Sequence, residues 1–186
     1  MRPHGDALHL GRIASWAVAL LLSLTAAGGL LAAEPGGPVC LVLWDERTQR
    51  PLWRISSKTG ETFAVRFLHS YERFPVEELY GILGPGRIVF RGLLSRSMLN
   101  GQGFRFAGAH IRPDGWLEIE GVELVKEKVE FIMGAQEHAD HRIEIGGKEH
   151  RLSEGIQPGT SVVVEAKAGL CPPSPLLNQE TDGDGR

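Results

Sequence analysis

Between Arg66 and Tyr80 the chain reads Arg-Phe-Leu-His-Ser-Tyr-Glu-Arg-Phe-Pro-Val-Glu-Glu-Leu-Tyr, and here polar groups fall at positions also expected to be core. His69 with a neighbouring carboxylate, Glu77 or Glu78, could exchange a proton, and Arg66 beside them could hold an anion. Ser70 follows His69 directly, but adjacent residues of a strand point to opposite faces, so the two do not form a nucleophile with its base. No Gly-x-Ser-x-Gly turn is present to expose such a nucleophile. A second group, His138-Ala-Asp140-His141 with His150 nearby, offers imidazoles and a carboxylate. Catalytic zinc needs three protein ligands and an open position, and His69, Glu77 and His141 are the set that a metal-dependent hydrolase would use. Because same-face residues of a strand differ by an even number, His138 and His141 converge only if the chain turns at Ala139. In Asn100-Gly-Gln-Gly103, Gly101 and Gly103 could present backbone N–H groups to a carboxylate or phosphate. Those glycines equally suit a plain turn or bulge.

The elements that must position these groups read as strands. Short alternating or β-branched runs are separated by Gly, Pro, Asn and Asp, with no helical period. Candidate strands are 39–44, 52–55, 62–69, 76–83, 87–94, 104–111, 116–120, 122–126, 129–133, 142–145, 149–152 and 161–167. Spaced at about ten residues, they predict an all-β domain, a single antiparallel β-sandwich or partly closed barrel. Gly146-Gly147 reads as a two-residue hairpin loop needing positive φ. For the hairpin around His69 two registers are open. With a loop of 70–74, the face of Phe63, Val65, Phe67 and His69 receives Glu77 and Leu79; with a loop one residue shorter it receives Val76, Glu78 and Tyr80. Either register puts a carboxylate on the mainly apolar face of His69, where it must be paired or neutral. A structural pin, with Arg66 and Arg73 as further ion partners, and a ligand-reading site are both compatible with that.

The N-terminus bears on location. Arg2 and Arg12 precede an uncharged, Ala- and Leu-rich run over 13–33, the layout of an export signal with several small-residue cleavage points. At about 20 residues the run could also remain as a membrane anchor. The expected organisation is therefore a signal peptide or anchor at 1–33, an all-β domain at 34–171 and a disordered tail at 172–186, the domain lying in the periplasm or tethered to the inner membrane facing it. The membrane would be touched only through the N-terminal segment. A net charge of −3 makes nucleic acid an improbable partner. The two cysteines, Cys40 at the start of the first apolar strand and Cys171 just after the last, suit a disulfide in an oxidising compartment.

The order His69-Ser70, Pro75-Val76-Glu77, Tyr80, Ser95, Gly101-Gln102-Gly103 and then His141 resembles the uncharacterised bacterial family called domain of unknown function 1850, over about residues 40–167. The chain departs from that pattern at Tyr71, where a small apolar residue often follows His-Ser, and in having Asn100-Gly-Gln-Gly for a simpler Gly-Ala-Gly. The resemblance implies a small exported protein associated with TAXI-type TRAP transporters of organic acids, with no cofactor and no enzymatic activity. The expected partners are a membrane or solute-binding component of such a transporter and a small organic anion. The anion would be held among Arg66, His69, Ser70, Glu77, Gly101 and Gly103. The competing expectations are the hydrolase above and a purely structural interaction domain.

Overall fold

The computed structural model describes residues 36–96, 101 and 104–172. The expected leader at 1–33, Gly103 and all but the first residue of the expected tail at 172–186 lie outside the described residues. Two antiparallel sheets pack face to face without closing into a barrel, as the strand spacing predicts. The smaller sheet has the order β2 (Arg50–Lys58), β1 (Pro38–Asp45), β12 (Ser161–Ala168), β9 (Lys128–Ile132). The larger runs β11 (Lys148–Arg151), β10 (Arg142–Ile145), β3 (Thr62–Leu68), β4 (Pro75–Gly84), β5 (Arg87–Ser95), β7 (Leu117–Ile119), β6 (Ala109–Ile111). A last strand, β8 (Leu124–Lys126), pairs with β5 beside its Ile88–Phe90 stretch. Only Glu127 separates β8 from β9, so the chain passes from one sheet to the other at that corner.

Alternation explains why these segments are strands. In β10, Ile143 and Ile145 are buried while Arg142 and Glu144 are not, the period-2 pattern of a sheet with one wet face. The β-branched runs of β1 and β12 are buried almost throughout because they occupy the centre of the smaller sheet. Leu41, Leu43, Phe63, Ile82, Ile88, Leu117, Ile143 and Leu152 meet between the layers with essentially no exposure. Each such side chain contributes roughly 1.5–3 kcal/mol of hydrophobic stabilisation. Gly146 and Gly147, at φ 56° and 72°, form the tight loop of the β10–β11 hairpin. The expected strand 104–111 shortens to 109–111 because Gly108 comes so close to Glu120 that an added Cβ would lie 2.1 Å from its carbonyl oxygen. An extended strand with side chains could not make that approach.

The two ends of the sandwich differ. At one end Gly36 N donates to Thr59 O (3.2 Å) and Gly60 N to Ile82 O (2.8 Å), and the Cys40–Cys171 disulfide lies here as the sequence predicts. Both ends of the described domain therefore leave from this side. The opposite, distal end gathers the β3–β4 loop, residues 134–141 and the turn at Leu152–Glu154, joined by Leu68 N to Ala139 O (2.7 Å) and Leu152 N to His141 O (3.0 Å).

Candidate functional site

The hairpin adopts the shorter of the two registers. Leu68 pairs with Pro75, His69 N donates to Phe74 O at 2.8 Å, and the four residues between include Arg73 at φ 59°. Glu78 consequently faces inward, opposite Val65, where its carboxylate accepts from the Tyr80 hydroxyl at 2.7 Å. Burial and the Glu78 charge both push the Tyr80 pKa up, so the phenol stays a donor. The inner-face carboxylate is thus paired with tyrosine, whereas His69 leaves the strand and serves its own loop. Its Nδ1 accepts from Glu72 N at 3.2 Å and lies 3.7 Å from the Glu72 carboxylate. A loop that must fold back within four residues needs a local acceptor, and His69 is the nearest one. Arg73, expected as an ion partner of the pin, donates instead to the Glu137 carbonyl at 2.6 Å.

Glu77 faces outward, directly across from Arg66 on the open side of the larger sheet. Arg66 Nε donates to Glu77 Oε2 at 2.9 Å, and the same guanidinium contacts Glu144. The row continues, because Arg66 opposes Arg142 and Arg142 opposes Arg151 on successive strands. Like charges directly opposite repel, and here carboxylates alternate with the arginines to offset this. Arg142 binds Asp140 through Nε (2.9 Å) and Nη2, and Glu149 through Nη1 (2.7 Å); Arg151 Nε lies 3.4 Å from Asp140 Oδ1. Asp140 reaches both arginines from a left-handed backbone position, φ 45°, one of the few non-glycine types that tolerates it. The carboxylate partners hold the Arg66 and Arg142 guanidiniums above their ordinary pKa. Along this lattice runs an open groove of about 420 Å³, polar toward Arg142 and Glu149 and apolar toward Leu94 and Trp116.

His141 lies on the other side of the sheet. Its ring is stacked between Phe67 of β3 (5.3 Å) and Phe131 of β9 (5.0 Å), bridging the two layers, and Nδ1 accepts from Gly134 N at 3.2 Å. Burial pushes its pKa down to about 4, so the ring is neutral at pH 7 with its proton on Nε2. His69 in the loop, Glu77 outward and His141 inward are therefore not brought together. His138 is exposed and its ring lies 3.7 Å from the Glu137 carboxylate, so the turn at Ala139 directs the two histidines apart. Among the described residues no group of three or more His, Cys, Asp or Glu side chains is arranged to hold a metal ion. Ser70 is exposed in the loop, and Gly101, at φ 79°, has open space where a Cβ would be; neither lines the groove. Of the described residues of the expected ligand set, the groove unites Arg66 and Glu77 alone.

Arg142, Glu144, Glu149 and Asp140 were not singled out as partners of Arg66 by the sequence. Their alternation with Ile143 and Ile145 reveals an outward face, but not that β10 docks beside β3, a pairing across some eighty intervening positions. No protein-family model, curated protein or solved structure matches the chain.

Proposed function

We propose that the chain is an exported, non-enzymatic recognition domain serving a TAXI-type TRAP uptake system, with the distal end of its larger sheet as the recognition surface. The observation that carries this reading is that the candidate groups of the hairpin and His141 are already committed to structure. His69 caps its own loop, Glu78 holds Tyr80, His141 is stacked between two phenyl rings, and Arg66 and Glu77 belong to a cross-strand ion lattice. A rigid charged face suits binding better than proton transfer, which needs a group free to change its protonation state. At the tip of the same end Tyr71 is 90% exposed and Phe74 44%, side chains of the kind that anchor protein interfaces. The export signal and the family resemblance support the link to uptake. The transported organic acid is not expected to sit on Arg66, whose guanidinium already faces two carboxylates.

Affinity-tagged protein captured from native membranes in mild detergent tests the reading. Recovery of a TRAP membrane or solute-binding component, lost on Tyr71→Ala with Phe74→Ala, is the expected result. Recovery of no transporter component, together with unchanged organic-acid uptake in a deletion strain, would overturn it.

A further inference from the structure

We infer that the groove on the outer face of the larger sheet is a self-association surface, and that its occupant is a second copy of this chain related by a two-fold axis. The inference rests on reading this face as a recognition surface, not on the transporter link. The argument is one of charge distribution across the groove. On the polar side Glu77, Asp140 and Glu149 line the groove with Arg66 and Arg142, and Glu144 and Arg151 extend the same ion lattice beyond it, so that four carboxylates meet three guanidiniums. Glu144 and Glu149 are direct cross-strand partners, a like-charge pair that gains from one more cation. That cation stands beside the apolar wall. Arg96 follows the last residue of β5, its N–H directed to Pro75 O at 3.4 Å and its guanidinium over the Trp116 ring at 5.4 Å. It is exposed, and no ion pair joins it to a carboxylate among the described residues.

A surface whose ion lattice holds one carboxylate in excess on one side, and which carries an exposed arginine with no carboxylate partner among the described residues on the other, complements itself. A two-fold rotation places Arg96 of each copy over the Glu144–Glu149 pair of the other, an isologous contact in which every interaction occurs twice. The face is large enough. Six strands from β11 to β7 span five spacings of about 4.8 Å, and the seven residues of β3 rise about 3.3 Å each, giving roughly 24 by 23 Å, or about 550 Å² per partner and ~1,100 Å² in total, just above the ~1,000 Å² that a specific interface needs.

The test is sedimentation velocity on the protein recovered from the cell envelope after expression of the full chain, with variants at both walls. A concentration-dependent dimer is expected at low ionic strength, its dissociation constant rising at least tenfold at about 0.5 M salt as the charge contacts are screened. Arg96→Glu and Glu149→Arg should each give a monomer with unchanged circular dichroism, and the double variant R96E/E149R should restore the dimer. A wild type that stays monomeric up to high concentration, single reversals that leave the dimer intact, or a double variant that remains monomeric would each overturn the inference. All three outcomes leave the transporter capture experiment unaffected, so the two readings fail separately.

Discussion

At the scale of single residues, a histidine's environment decides its role more than its neighbours in sequence do. His69 and His141 both sit beside a carboxylate in the chain, Glu72 within three positions and Asp140 adjacent. His141 is nonetheless shut between two phenyl rings with 6% of its surface exposed, and desolvation outweighs the pull of Asp140. The consequence is a defined pH dependence. Its folded pKa, about 4, is lower than the ordinary 6.5, so between those values the unfolded chain binds the proton more readily. Stability is fully present above about pH 6.5 and falls as pH drops toward 4, by about 3 kcal/mol if His141 acts alone. Chemical denaturation at pH 7 and pH 4.5 should show this loss. In His141→Phe the pH-dependent part should shrink sharply, while stability at pH 7 drops by about 1–3 kcal/mol because the Gly134 N–H loses its acceptor. An equal fall with pH in both proteins would show that the carboxylates, not His141, drive it.

At the scale of elements, the sequence revealed strands well and their partners poorly. Existence and approximate bounds follow from alternation and turn chemistry, which are local, and the Gly146-Gly147 hairpin is read from two residues. Register is less legible. The choice between Glu77 and Glu78 as the inward carboxylate turns on a single loop residue, and only the register that turns Glu78 inward buries it together with Tyr80. The β3–β10 pairing that completes the ion lattice is non-local and leaves no mark in either segment. Close backbone approach is also invisible from sequence. Gly92, where β5 passes from its β8 partner to its β7 partner, would place a Cβ 2.2 Å from the Ile119 carbonyl oxygen. Backbone cannot yield as a side chain can, so Gly92→Ala should cost about 2–3 kcal/mol. It should also raise amide exchange in β6 and β7 ahead of the other strands. Gly81→Ala should be milder, because its closest obstacle, 2.6 Å away, is the flexible Arg91 guanidinium. Equal effects from the two alanines in hydrogen exchange would contradict the contact.

At the scale of the whole molecule, the smaller sheet is tied at one end and the larger sheet presents its open face at the other. Cys40 lies in β1, with β2 and β12 on its two sides, and its bridge to Cys171 fastens the segment that follows β12. Because β1 and β12 already pair along seven register positions, the bridge joins chain that folding would bring together anyway. Its effect falls mainly on the unfolded state. Closing a loop with a sequence separation of 131 removes unfolded-chain entropy equivalent to about 5 kcal/mol in the simplest treatment, and native bridges commonly deliver about 2–4 kcal/mol. Cys40 is buried among apolar neighbours, so Cys40→Ala with Cys171→Ala removes the bridge without burying a hydroxyl. For a domain of this size a loss of about 3 kcal/mol lowers Tm by roughly 6–12 °C. Reductant should lower the wild-type Tm by a similar amount and leave the double alanine variant unmoved. The variant should keep the wild-type circular dichroism, since the β1–β12 ladder forms without the bridge. A variant that melts with the wild type in the absence of reductant would mean that the unfolded chain is already compact enough for the constraint to add nothing.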